Sequence, residues 1–314
     1  MLRAISGTLL VALSLTATAA LAVTKNGFVL DDALIPADEI LQGGPPRDGI
    51  PAIHDPVFTS ASDASYLKET DRILGLEIDG QSKAYPIRIL NWHEVVNDTI
   101  NDLTFSVTYC PLCGTGVAFK GTETSPGIKF GVSGLLYNSD VLLYDLSTES
   151  LWSQLLGKAI SGERMGEELI KLPLEHTTWK AWRDKHPASL VLSEKTGFSR
   201  DYNRDPYDGY ASSSTVYFPT SEKIPGTYHP KELIIGLQVG DEFIAFPFVE
   251  LNEHDKPVVE GQLNNQAYKL LWDKTNQSAA VYDNEENPIP VVQSFWFAWY
   301  TFHPQTSVFK ATSH

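Results

Sequence analysis

The chain has 314 residues, 42% of them hydrophobic and 11% aromatic, with 24 basic against 39 acidic residues and a net charge of −15. This is enough apolar material for one large domain or two small ones, and it argues against a disordered chain. An acidic protein with no basic run is a poor match for nucleic acid or anionic lipid. It has neither a phosphate loop nor a dinucleotide fingerprint, so no nucleotide cofactor is expected.

In chain order, Met1-Leu2-Arg3 is a short basic start, and an apolar stretch runs from Ala4 to Leu21. It ends in the small-x-small pattern Ala20-Leu21-Ala22. These are the parts of a secretory signal over residues 1–22, and they predict an exported protein, periplasmic or extracellular. No later segment has the length to span a bilayer. Residues 23–47 form an N-terminal extension that ends near the loop Gly43-Gly44-Pro45-Pro46.

A strand at 73–78, the turn Asp79-Gly80 and a return strand at 82–87 make a hairpin signal. A short helix is expected over 88–96, then a half-buried strand at 103–108, where apolar residues alternate. Further strands are expected at 117–119, 141–144 and 190–192. Thr177 or Thr178 caps a helix that runs through Arg183 and stops before His186-Pro187. Residues 199–214 read as an irregular connector, and their aromatic run Pro206-Tyr207-Asp208-Gly209-Tyr210 reads as packing. A second hairpin follows at 233–239 and 243–248, turning at Gly240-Asp241.

The two hairpins belong to an internal repeat. Ile73-Leu74-Gly75-Leu76 matches Ile234-Ile235-Gly236-Leu237, and Ala84-Tyr85-Pro86 matches Ala245-Phe246-Pro247. Leu90-Asn91 and His93 fall on Leu251-Asn252 and His254. Later, at a shorter offset, Trp179, Trp182 and His186-Pro187 fall on Trp296, Trp299 and His303-Pro304. The expected architecture is α+β and β-dominated, with mostly antiparallel strands in two duplicated, unequal halves. The first half spans 48–198, and the connector and shorter second half span 199–314.

The only cysteines share one motif, Tyr109-Cys110-Pro111-Leu112-Cys113-Gly114. As a metal knuckle, the spacing lets two thiolates converge on one ion, with Pro and Gly shaping the turn. A second knuckle is absent, so His or a carboxylate must complete the site. As a redox pair, the motif could cycle between dithiol and disulfide. The turn-and-strand pattern after Cys113 does not suit a thioredoxin-like helix. The third reading is a static disulfide.

His93 is the leading third ligand, with Glu94 beside it to orient it or to face solvent. The segment from Phe130 to Asp140 has no counterpart in the second half, and function tends to lie in what one copy has and the other lacks. It offers Ser133, Asn138, Ser139 and Asp140, with Gln154 beyond. Asp140 could be a ligand or a base. Asn138-Ser139-Asp140 could equally be a plain turn between two strands.

Asn91-Trp92-His93-Glu94, the Cys motif and Ser133-Gly134-Leu135-Leu136-Tyr137-Asn138-Ser139-Asp140 together resemble a large bacterial family of exported proteins. Leu151-Trp152-Ser153-Gln154, Arg200-Asp201-Tyr202 and His229-Pro230-Lys231-Glu232 fit the same pattern. That family is known only as a domain of unknown function, and the resemblance implies export and a shared fold. The leading functional expectation is a thiophilic transition metal (copper, zinc or iron) held by Cys110, Cys113 and His93. A thiol–disulfide redox protein, or a ligand-binding or assembly module with a structural disulfide, are the alternatives.

Overall fold

A computed structural model of the chain describes residues 22–311. Except for Ala22, the expected signal segment lies outside them. The described chain is 40% strand and 9% helix, with mostly antiparallel sheets. None of its helices is long and apolar enough to cross a membrane.

The chain opens with a hairpin of β1 (Thr24–Lys25) and β2 (Phe28–Val29), then the short strands β3 (Ile40–Gln42) and β4 (Phe58–Ser60). The expected first hairpin forms as β5 (Arg72–Ile78) and β6 (Gln81–Pro86). Helix α1 (Ile87–His93) starts directly after Pro86, whose ring fixes φ at −64° in the extended residue before the helix. It stops at Glu94, whose backbone is left-handed at φ 57°. The sequence pattern predicts a helix running to 96. Val95 and Val96 instead open β7 (Val95–Ile100), since branched side chains fit a pleated surface better than a helical one.

Strands β7, β8 (Leu103–Cys110) and β9 (Thr115–Phe119) form an antiparallel meander, and the Cys-Pro-Leu-Cys loop is its second turn. Next come β10 (Phe130–Tyr137), β11 (Asp140–Asp145), β12 (Leu151–Ser153) and β13 (Lys158–Ser161). With β3 on the outer side of β10 they make a five-stranded sheet. β14 (Lys171–Leu172) returns to pair with β9. β15 (Glu175–Thr178), α2 (Trp179–Lys185) and β16 (Leu190–Leu192) follow. Thr178 caps α2 by accepting the Ala181 N–H, as its position predicts.

After the connector the order is β17 (Leu233–Val239), β18 (Glu242–Pro247), α3 (Phe248–Glu253), β19 (Val258–Leu263), β20 (Gln266–Asp273) and β21 (Ser278–Tyr282). The described chain then ends with β22 (Val292–Phe295), α4 (Trp296–Phe302) and β23 (Ser307–Val308). β15 lies antiparallel to β5, and β16 lies parallel to β6. β22 lies antiparallel to β17, and β23 lies parallel to β18. Gly75 faces Ala84 as Gly236 faces Ala245. A Cβ on Gly75 would come within 2.3 Å of the Trp182 ring, and one on Gly236 within 2.3 Å of the Trp299 ring. Each tryptophan therefore packs on bare backbone that only glycine provides.

The two parts of the chain interlock. β9 pairs with β22 at Gly116 and Gln293, so one eight-stranded sheet runs from β23 to β7. In the other direction, Arg72 donates to the carbonyls of Asn276 and Gln277, and Thr178 Oγ1 donates to Asn276 Oδ1 at 2.7 Å. The turn between β20 and β21 thus docks on β5 and β15.

One side chain ties the five-stranded sheet to the Cys-bearing meander. Asn97, on β7, is buried. Its Nδ2 donates to the Phe130 carbonyl at 2.8 Å, and its Oδ1 accepts the Phe130 N–H at 2.8 Å and the Ser106 hydroxyl at 2.6 Å. Removing it strands three dry polar groups. We expect Asn97→Ala to lower unfolding stability by about 3 kcal/mol or more in urea titration, against under ~1 kcal/mol for an exposed polar site.

Asp145 closes the other end of β11. Burial alone would raise its carboxyl, but donors from Ser147, Thr148 and Trp152 outweigh this and hold it below the usual range. A lowered folded pKa stabilises above the unfolded value of about 3.9 and ceases to do so as pH falls through the folded value. The stability gap between wild type and Asp145→Asn should therefore be largest near neutral pH and close in strong acid. A gap that is constant with pH would refute this account.

Candidate metal centre

β8 ends at Cys110, and the chain turns so that the Cys113 N–H donates to the Cys110 carbonyl at 3.2 Å. Across from this loop, Asn138 and Ser139 are both left-handed, with φ of 52° and 65°. Two such residues in succession make the tight hairpin turn between β10 and β11. They confirm the plain-turn expectation for this tripeptide, but the turn also has a consequence. It delivers Asp140, the first residue of β11, to the sulfurs. The two Sγ atoms and an Asp140 carboxylate oxygen all lie within 4.8 Å of one another, and all three residues are buried. The Ser139 carbonyl sits 3.4 Å from Cys113 Sγ.

The surroundings hold this turn from outside. Ser139 Oγ donates to the Phe218 carbonyl at 2.8 Å, and Asn138 Oδ1 accepts the Ser221 N–H at 2.7 Å. Asp140 Oδ2 accepts the Leu155 N–H at 3.0 Å, while Oδ1 is buried with no hydrogen-bond partner among the described residues. A dry carboxylate oxygen without a donor carries a full desolvation cost.

The electrostatics point the same way. Burial pushes the Asp140 carboxyl up to about 7. Burial, then the Asp140 charge, pushes Glu94 up to about 8. Burial raises both thiols, Cys113 the further of the two because Cys110 also acts on it. Four acidic groups thus crowd one dry space, and none of the neighbours that shift them most is a cation. Each is held toward its neutral form because burial outweighs the donors nearby, which for Asp140 include the Leu155 N–H and the two thiols.

Cys110 and Cys113 are free thiols, so the disulfide considered from sequence is not formed. His93 is corrected too: the structure does not bring it into the group with the sulfurs. Its Nδ1–H donates to the Pro51 carbonyl at 2.7 Å, and its Nε2 accepts from the Tyr202 hydroxyl at 2.7 Å. Tyr202 in turn accepts from Thr196 Oγ1 at 2.5 Å. Burial lowers the His93 pKa, so the ring is neutral and both nitrogens are committed. It ties the 51 and 196–202 segments together, while Asp140 stands where His93 was expected.

Ser133 is also structural. Its hydroxyl donates to the Leu142 carbonyl and accepts the Leu135 N–H at 3.0 Å, closing the irregularity where β10 shifts register on β11. Gln154 Nε2 donates to Thr108 Oγ1 at 2.8 Å and helps seat the Cys strand. Sequence reasoning did not single out Phe295, whose N–H donates to the Cys113 carbonyl at 2.8 Å, or Leu155. Lys231 was noted only as part of a motif. Its Nζ donates to the carbonyls of Tyr210, Ser213 and Thr215 and lies 3.5 Å from the Tyr210 ring centre. It thereby folds the connector, whose Tyr210 is buried beside the cysteines. A basic residue amid many connector carbonyls leaves no sequence signal of that kind.

A family model described as "Protein of unknown function (DUF3179)" matches residues 47–306, and the chain belongs to that family. No curated protein and no solved structure gives a significant match.

Buried thiols with raised pKa react slowly, because the thiolate is the nucleophile and needs access. With an aromatic disulfide reagent at neutral pH, the native protein should release its two thiol equivalents at least about 100-fold more slowly than the urea-unfolded chain. Similar rates would show that the centre is open.

Proposed function

We propose that the protein binds one divalent transition metal, zinc foremost, between Cys110 Sγ, Cys113 Sγ and the Asp140 carboxylate. The observation that carries this is the partnerless Asp140 Oδ1, buried in a group of three ligand-type side chains. A divalent ion would draw the protons off both thiols and offset three negative charges that are otherwise too costly to hold in a dry site. Two sulfurs and one oxygen also narrow the choice among copper, zinc and iron. Copper(I) is served by sulfur and gains little from a carboxylate, whereas zinc accepts both donors. Three protein ligands leave a fourth position for water or a substrate atom, the pattern of zinc sites that do chemistry. The redox alternative is weaker, because a working dithiol needs an exposed cysteine of low pKa.

The same proposal places this centre in an exported protein, on the strength of the N-terminal signal pattern. It also takes the two halves as copies of one unit. The matched Gly–Trp contacts and strand registers support that, and so do the reciprocal dockings of Cys113 on Phe295 and of Asn276 on Thr178. On this view only the first copy acquired the sheet that carries Asp140.

Protein purified without chelator should carry close to one equivalent of metal by elemental mass spectrometry, and Cys110→Ser/Cys113→Ser should carry none. Asp140→Ala should lose more than the ~10–100-fold in affinity that removal of an outer-shell partner costs. His93→Gln should keep its metal. Wild type that stays metal-free after reduction and reloading, or Asp140→Ala that binds normally, would overturn the reading.

A further inference from the structure

A cavity of about 230 Å³ lies beside the Cys loop and the start of β11, reaching Leu112 and Val141. Leu112 of the Cys loop and Val141, next to Asp140, form the wall nearest the centre. Ile50, Leu136, Tyr207 and Phe218 add more apolar surface, and the exposed Tyr217 stands at the rim. Glu94 is the one ionisable carboxyl in the lining. It is 6% exposed, and among the described residues no hydrogen bond or ion pair engages its side chain. Its backbone N–H and carbonyl are used, by Leu90 and Tyr109, which fixes the residue in place.

The local conformation makes Glu94 more telling. It caps α1 at φ 57°, a position where glycine or asparagine costs nothing and a glutamate is strained by about 1 kcal/mol. The turn that ends α1 accounts for the backbone of Glu94, but no partner among the described residues accounts for its buried carboxyl.

We propose that this cavity binds a small amine with an apolar body, its ammonium group on Glu94 and its body among Leu112, Val132, Leu136 and Tyr207. A dry cavity of about 150 Å³ holds benzene, so this one takes a single ring or a short branched chain with one polar group. The choice of amine follows from the Glu94 carboxyl, which can pass its proton to the amine and pair with the resulting ammonium, and from the rings of Tyr207 and Tyr217, whose faces attract cations. A ligand seated this way would have its head group beside the centre formed by Cys110, Cys113 and Asp140. The site itself rests on the cavity and Glu94 and does not require the metal.

The probe is benzylamine, titrated by calorimetry into the full mature chain, with and without chelator, against toluene as a neutral isostere. Saturable one-to-one binding is expected, at least ten-fold tighter than toluene and unchanged by chelator. Glu94→Gln should weaken it ten-fold or more while the thermal midpoint stays within a few degrees of wild type. Ile50→Phe, which fills the cavity from its rim, should abolish it and serves if Glu94→Gln folds poorly. No saturable binding to wild type, equal binding of benzylamine and toluene, or full binding by Glu94→Gln would overturn the proposal. Binding that vanishes only with chelator would also overturn it, because it would place the amine on a metal. A protein found to be metal-free would leave this test unaffected.

Discussion

The Asn97 amide sets the spacing on which the centre depends. The Cys hairpin and the Asp140 turn belong to different sheets, and a shift of one residue between them would point Asp140 away from the sulfurs. Asn97 prevents this by reading both polar groups of Phe130, the first residue of β10, as a neighbouring strand would. Ser106, on the next strand, fixes the amide's own orientation by donating to Oδ1. Such a buried network gives one register and no half-satisfied alternative, since each partial pairing leaves a dry group without a partner. Gln154 repeats the device from the other side, joining the end of β12 to Thr108 on β8. Two amides thus make a rigid frame from two sheets that share no ladder.

Within this frame the protein concentrates acids where it can least support their charge. Cys110, Cys113, Asp140 and Glu94 face a shared interior from four points in the chain, and the connector covers them with Tyr207 and Tyr210. The arrangement is poor for stability and good for holding a cation, because the cost of burying unpaired acids is relieved when the ion arrives. The fold compensates elsewhere, with tryptophans packed on glycine backbone and the strongly bonded Asp145 turn. The unpartnered Asp140 Oδ1 and the left-handed Glu94 both belong to this crowded place.

Much of the scaffold was legible in the chain. Asp79-Gly80 and Gly240-Asp241 announced their hairpins, Thr178 announced its helix, and Gly75 with Trp182 and Gly236 with Trp299 announced two like contacts. These are local signals or matched spacings, and they survive folding unchanged. The Cys pair was legible for the same reason. Asp140 was within reach because it follows Asn138-Ser139, a recognisable turn between two strands. His93 went wrong because nearness in sequence says nothing of where a ring points once a helix ends. The left-handed Glu94 turns the chain there, and the imidazole faces the 51 and 202 segments instead. The end of α1 was misjudged for a related reason: Val95 and Val96 find strand partners that only the folded chain supplies. The Glu94 cavity was illegible, since its walls come from five separate stretches of sequence.

The Phe295 N–H that closes on the Cys113 carbonyl comes from far downstream of the loop it secures. During synthesis the first meander, with both cysteines, emerges well before the strand that completes its sheet at β9. Until β22 arrives, the Gly116 end of β9 and the Cys113 carbonyl lack the partners that this strand brings. The thiols are then ordinary and open to oxidation or to any passing soft ion. Order of assembly thus becomes a chemical matter for this chain. What reaches the cysteines in the interval before the last strand docks is sealed in by it, and what has not reached them must wait for the sheet to open.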